Sequence, residues 1–184
     1  MPIMRDALRR LRENKTAGGS SEKEEKMIPT NRKAFLDMIA WSEIGPELLA
    51  ASDNGYNVIV GSTPGHPVLF NSYADHPRQL VHFENGTPDS TAAGRYQIKV
   101  RIFDFYTKQL KLDGTFSPAN QDAIALQLIK ECHALPLIEA GNIVAAIPLC
   151  SSRWASLPGN TYGQRMNKLS ALTGAYKNAG GQVV

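Results

Sequence analysis

The run Phe35-Leu36-Asp37-Met38-Ile39-Ala40-Trp41-Ser42-Glu43 is apolar at most positions, and the chain breaks shortly after it at Gly45-Pro46. This pattern predicts a helix over about 31–43, with Thr30 or Asn31 as N-cap, whose apolar residues must enter a core. Glu43 follows Ile39 by four residues and Leu36 by seven, so its carboxyl falls on the apolar face. Ionising a carboxyl at the edge of a core is costly, and the negative end of the helix dipole adds to that cost. Both effects raise the pKa towards the range of a general acid. Glu43 is therefore the leading candidate for chemistry.

Downstream, Tyr56-Asn57-Val58-Ile59-Val60-Gly61 is rich in β-branched residues and closed by glycine, which reads as a strand after a short turn around 46–52. A polar, proline-bearing stretch over about 62–93 carries Val68-Leu69-Phe70 and Leu80-Val81-His82-Phe83 as short strand candidates. From Gly94 onwards the pattern is helical. Helices are expected over 96–111, over 118–132 after the Ser117-Pro118 start signal, and near 134–140, 142–150 and 164–178. The predicted fold is α+β: a mostly helical domain over 30–184, a small β region after its first helix, and a cleft between the two lobes.

Charge separates the first 32 residues from the rest. They hold eight of the 20 Lys/Arg and five of the 17 Asp/Glu, leaving 12 of each for 33–184. A neutral domain without a basic stripe argues against nucleic-acid binding. Residues 1–29 read as a basic extension. Within it, 1–15 has amphipathic helical spacing (Met1, Met4, Leu8, Leu11), and Thr16-Ala17-Gly18-Gly19-Ser20-Ser21 is a flexible linker by composition. Such an extension is either solvated or a polybasic arm for an anionic surface. No apolar run is long enough for a membrane span, and no secretory signal opens the chain.

Cys132 and Cys150 lack CxxC spacing and read as unpaired buried thiols. His66, His76, His82 and His133 show no metal-binding spacing and read as loop or surface residues; no metal or cofactor is expected.

A proton donor such as Glu43 suits glycosidic cleavage, where a second carboxylate decides the outcome. It stands about 5 Å away for retention and roughly 6.5–9.5 Å away for inversion. Asp53, Asp75, Glu84 and Asp89 are available, and no pattern singles one out. Two loops carry the aromatic and amide groups that bind sugars: Thr91-Ala92-Ala93-Gly94-Arg95-Tyr96-Gln97, and the segment Trp154 to Gln164 with Tyr162. Either aromatic serves equally well as packing.

The ordered set AFLDMIAWSE, YNVIVG, YADHPR, STAAGRYQ, FSPANQDAIALQ and WASLPGNTYGQ resembles the phage lambda endolysin family, lytic transglycosylases of lysozyme-like fold. The resemblance runs from about residue 32 to 181 and leaves out the basic extension. It implies a lysozyme-like fold and cleavage of the MurNAc–GlcNAc β-1,4 bond of peptidoglycan. Glu43 matches the family's single acid–base glutamate. The muramoyl C6 hydroxyl then attacks C1, giving a 1,6-anhydro product without water, so no partner carboxylate is required. The resemblance also points to Tyr56, Tyr96, Gln97, Tyr162 and Gln164 as substrate-binding residues. Two departures stand out: Asn57 where the family has an aspartate, and a longer loop over 62–70.

The expected function is thus a phage or prophage endolysin, with a lysozyme-type hydrolase or a virion-associated wall-degrading enzyme as alternatives. A non-catalytic peptidoglycan-binding domain is the competing class. The expected partners are glycan strands and, by family habit, a holin-type membrane protein. A monomer is expected to wait in the host cytoplasm for release to the periplasm and wall.

Overall fold

The first helix, α1 (Thr30–Ile44), buries Ala34, Phe35, Leu36, Met38, Ile39 and Ala40. A helix buried on so much of its circumference belongs at the centre of a domain. The computed structural model describes residues 30–84, 86–159 and 166–184. The extension over 1–29 and the site candidates Tyr162 and Gln164 lie outside these described residues. Around α1 pack α4 (Pro118–Glu131), α5 (Leu135–Glu139) and α7 (Leu169–Asn178). Each fully buried Phe, Leu, Met or Ile on α1 contributes about 1.5–3 kcal/mol relative to exposure. Its polar stripe is held by Asp37, whose carboxylate accepts from Lys33 at 2.8 Å and from Arg95 at 2.6 Å.

Thr30 is already helical, so Asn31 lies within the first turn of α1 instead of capping it. Its amide has another use: Nδ2 donates to the Glu139 carbonyl at 3.2 Å, and Oδ1 accepts from the Gln182 N–H at 3.0 Å. This ties the start of α1 to α5 and to the C-terminal segment. At the other end, Gly45 takes φ 85°, which favours glycine, and the chain turns directly into α2 (Pro46–Ala50). The sequence suggested only a turn there; Pro46 in the first helical turn starts a short helix.

The β region lies between α2 and α3 (Val100–Gln109) and is made of isolated bridges among the described residues: Val58–Leu69, Ile59–Ala93, Thr63–His66, Val81–Ser90 and Ala93–Ile98. The expected strand segments are thus in place, but each pairs for only a residue or so. Helix α3 begins four residues later than its spacing predicted. The cause is a turn over 93–98 in which Gln97 adopts φ 49° and its N–H reaches the Gly94 carbonyl at 3.2 Å. Gly94 is required there. At φ 76° a Cβ would lie 2.1 Å from Gln121 Oε1.

Gln121 of α4 joins the two lobes. Its Nε2 donates to the carbonyls of Tyr56 (3.0 Å) and Phe116 (2.9 Å), and its Oε1 accepts from the Arg95 N–H at 2.9 Å. Helix α4 starts as its sequence signal indicates, with Ser117 as N-cap accepting from the Asn120 N–H. α6 (Ile143–Leu149) completes the helical lobe. The core runs continuously from α1 through Phe103, Phe116, Ile124, Ile138 and Ile143.

One histidine departs from expectation. His76 is 2% exposed and packs against Phe116 and Phe103, with ring centroids at 4.7 and 5.7 Å. Its Nδ1 accepts from the Arg78 N–H at 3.0 Å, and its Nε2 lies 2.9 Å from the Ile98 carbonyl. Since a carbonyl only accepts, the ring is the neutral Nε2–H form with both nitrogens satisfied. Burial holds its pKa below the usual value.

Candidate active site

Glu43 sits one residue before the end of α1, beneath the segment that follows α6. Ser156 donates its hydroxyl to Glu43 Oε1 at 2.5 Å, and the Ser156 backbone N–H is also directed at this carboxylate. Behind Ser156 the chain of polar contacts continues. Ser156 Oγ lies 2.6 Å from Ser42 Oγ, and Asn167 Nδ2 donates to Ser42 Oγ at 3.0 Å and to the Ser42 carbonyl at 3.2 Å. The Asn167 N–H in turn donates to the Ser156 carbonyl at 2.8 Å. With Glu43 ionised, Ser156 spends its one proton on the carboxylate, so Ser42 must donate to Ser156. All donors then point the same way, towards Glu43.

Two opposing effects set the protonation of Glu43. Burial raises its pKa above the usual carboxylate value, and the Ser156 hydroxyl and N–H pull against that rise; burial wins. No second charged group among the described residues contributes to the shift. The result is an isolated carboxyl able to hold a proton at higher pH than an exposed glutamate, with donors already placed to stabilise its conjugate base.

The other carboxylates raised by the sequence have their own partners. Asp53 accepts from the Tyr73 hydroxyl at 2.6 Å, Asp75 pairs with Arg78 at 2.7 Å, and Asp89 lies 2.6 Å from His82 Nδ1. Glu84 has no described contact with Glu43. Asn57, the departure from the family's aspartate, uses its Oδ1 to accept from the Asp53 N–H at 3.0 Å.

Tyr56 and Tyr96 form a second cluster. Both hydroxyls donate to Asp122 Oδ1, at 2.9 and 2.6 Å, and the rings meet edge to face with centroids 6.4 Å apart. The Arg95 guanidinium lies 5.2 Å from the centroid of the Tyr56 ring. Burial is the first cause of the raised pKa of both tyrosines and of Asp122. Tyr96 is 2% exposed, so its ring is part of the core, whereas Tyr56 is half-buried. Gln97 is half-buried too, and its Nε2 is occupied by the Gly94 carbonyl at 3.0 Å.

Residues 150–156 link these clusters. Trp154 Nε1 donates to the Tyr96 carbonyl at 3.1 Å, and two residues later Ser156 reaches Glu43. Ser42, Ser156 and Asn167 were not identified from sequence. No local spacing reveals a contact spanning more than a hundred residues; only the adjacency of Ser42 to Glu43 was visible.

Two cavities lie near this framework, and neither is lined by Glu43. One, about 310 Å³, is bordered by Lys33, Asp37, Trp41, Leu49, Asn54 and Arg95. Its α1 residues are spaced by four, while Glu43 is two positions past Trp41, about 200° further round the helix. The other, about 250 Å³, is bordered by Gln97 and Trp154 among others. No group of three or more His, Cys, Asp or Glu that could hold a metal ion occurs among the described residues.

Comparison with known proteins places these features in context. The family model described as Endolysin matches residues 33–183. The chain is 52% identical over 156 residues to the endolysin of Escherichia phage lambda, covering 85% of this chain and 95% of that protein. It is 50% identical over 92 residues to the endolysin of Escherichia phage P2, covering 50% of this chain and 55% of that protein. The structure of bacteriophage lambda lysozyme complexed with a chitohexasaccharide superimposes with a TM-score of 0.76 at 50% identity, covering 86% of this chain and 99% of the other. The fold is lysozyme-like.

Proposed function

Because the chain belongs to the endolysin family, we propose that it cleaves the MurNAc–GlcNAc β-1,4 bond of bacterial peptidoglycan as a lytic transglycosylase, with Glu43 as sole acid and base. The observation that carries this reading is the isolation of Glu43: a half-buried carboxyl with a raised pKa, hydrogen-bonded by Ser156 and uninfluenced by any second carboxylate among the described residues. The chitohexasaccharide in the lambda lysozyme structure supports a glycan as the ligand class.

In this mechanism the protonated Glu43 delivers its proton to the leaving glycosidic oxygen. The resulting carboxylate is stabilised by the Ser156 hydroxyl and N–H. It then accepts the proton of the muramoyl C6 hydroxyl as that oxygen attacks C1. The nucleophile belongs to the same sugar, so no group is needed to position water. Burial favours the acid form, and the Ser156 donors favour the base form. Both forms are needed in one turnover.

Within the proposed site, Gln97 and Tyr56 are the described candidates for direct contact with glycan, each being half-buried. Tyr96 contributes by fixing the 93–98 turn and the Trp154 segment from within the core. Tyr162 and Gln164 are proposed as substrate contacts on the basis of family resemblance. We further propose that a monomer is released to the wall through a holin-type partner. Among the described residues no helix is long and apolar enough to cross a membrane.

Digestion of purified peptidoglycan followed by mass spectrometry of the muropeptides tests the reading. Products one water lighter than reducing ends are expected from the wild type, and at a rate lowered by ~10²–10⁴-fold from Glu43→Gln. Reducing MurNAc ends would instead establish hydrolysis, and full activity of Glu43→Gln would remove Glu43 from the chemistry.

A further inference from the structure

The cavity of about 250 Å³ beside Gln97 and Trp154 has a charge pattern that glycan cleavage does not call on. Its rim carries Lys99, Arg101 and Arg153, with Ser152 alongside, and no carboxylate lines it. Arg153 shares its charge with Glu131 at 3.2 Å. Lys99 and Arg101 are exposed and make no ion pair among the described residues, although the chain forms such pairs elsewhere on its surface. Lys99 is also the N-cap residue of α3, so Arg101 lies in the first helical turn and the positive end of that helix faces the same region.

The floor is different in character. Trp154, Ile98, Ile102 and Leu128 supply apolar surface beneath the charged rim. An apolar floor with a cationic rim, two of whose three charges have no ion-pair partner among the described residues, suits an extended acidic ligand with short aliphatic parts. Its position is also informative. Trp154 is two residues from Ser156, so their α-carbons are at most about 7.6 Å apart. Gln97, proposed above to contact the glycan, lines the same cavity. The cavity is therefore bordered by the same chain segment that carries Ser156, the hydrogen-bond partner of Glu43.

We propose that this cavity is a subsite for the carboxylates of the peptide stem borne by a muramoyl residue next to the cleaved bond. The proposal rests on the peptidoglycan reading given above and adds a peptide-recognition element to it. The glycan backbone of peptidoglycan is uncharged at the hydroxyl and acetamido groups, whereas its stems carry free carboxylates. Lys99 and Arg101 would engage those groups as charge-assisted hydrogen-bond donors.

The test compares two substrates with the full chain: intact glycan strands bearing stems, and the same strands after an amidase has removed the stems at the lactyl bond. kcat and KM are measured separately for the wild type and for the double variant Lys99→Gln, Arg101→Gln. The wild type should show the lower KM on stem-bearing strands. The double variant should raise that KM by about three- to tenfold, as loss of two solvent-facing ion pairs predicts. Its kcat, and its KM on stripped strands, should stay unchanged. Raising the salt to ~0.5 M should narrow the wild-type preference, because screening shortens the reach of exposed charges.

Equal wild-type KM on both substrates would overturn the subsite while leaving the cleavage reading intact. A double variant that loses the same factor on stripped strands, or loses kcat, would also overturn it, in favour of a general structural role. If chloride and a simple dicarboxylate such as succinate inhibit cleavage of stripped strands as strongly as stem-bearing ones, the rim is a non-selective anion surface and the proposal fails. Failure of the wild type to cleave either substrate would sink the peptidoglycan reading and the subsite together.

Discussion

Ser156 donates to Glu43 across 113 residues of sequence, joining the end of α1 to the segment after α6 through one 2.5 Å hydrogen bond. That bond opposes the burial that raises the Glu43 pKa. Removing it should leave only the Ser156 N–H to oppose burial.

In Ser156→Ala, Glu43 should therefore hold its proton to still higher pH. The descending alkaline limb of kcat/KM, where the acid form is lost, should move upward. Ser42→Ala should shift it the same way by a smaller amount, since Ser42 acts through Ser156. A pH–rate profile of the three proteins decides this; a limb that moves downward in Ser156→Ala would contradict the assignment.

Glu43→Gln should lose activity by ~10²–10⁴-fold while gaining stability at neutral pH. The sign follows from linkage. A carboxyl with a raised folded-state pKa binds more protons in the folded state, so stability falls as pH rises from the unfolded value of 4.5 through the raised folded value. Glutamine carries no such penalty. Thermal unfolding should show a higher Tm for the variant at pH 7 and equal values below pH 4; a lower Tm at pH 7 would mean that the charged form of Glu43 is net stabilising.

His76 predicts a second pH effect of the opposite direction. Its pKa is depressed by burial, so below the unfolded value of 6.5 the unfolded chain binds a proton that the folded chain resists. Stability should fall as pH drops from 7 to 5. His76→Gln, which keeps a donor and an acceptor, should lose that part of the slope. An unchanged slope in the variant would assign the effect to other groups.

Cys132 is hydrogen-bonded to Cys150 and lies beside Arg153 and Ser152, and these contacts lower its pKa to about 6. Both thiols are free. Alkylation by iodoacetamide should reach half its plateau rate near pH 6 in the wild type and at clearly higher pH in Cys150→Ser, because Cys150 is the main cause of the shift. Half-maximal reaction near the ordinary thiol value in the wild type would discard the pair as a shared-proton unit.

What could be read from the sequence was local. The burial of Ile39 and Leu36, four and seven residues before Glu43, follows from helical periodicity alone, and so does the raised acid at the end of that face. Ser117-Pro118 announced α4 because capping and a fixed φ act within one turn. Other features needed partners distant in sequence. Tyr96 read equally as a sugar platform or as packing; its place in the core depends on Asp122, 26 residues on, which accepts its hydroxyl. The late start of α3 depends on the positive φ of Gln97, a conformation that glutamine does not advertise. Asn31 resembled a cap but serves as a clamp, because Glu139 and Gln182 arrive from the far end of the chain.

The polar groups around Glu43 other than its neighbour Ser42 come from residues 156 and 167, near the end of the 184-residue chain. During synthesis from the N-terminus, α1 leaves the ribosome long before Ser156 and Asn167 exist. A chain that stops short of residue 156 would therefore carry the glutamate without the Ser156 and Asn167 groups that surround it in the folded protein. The polar surroundings of the acid are thus assembled only when the segment carrying residues 156 and 167 has folded back onto the end of α1.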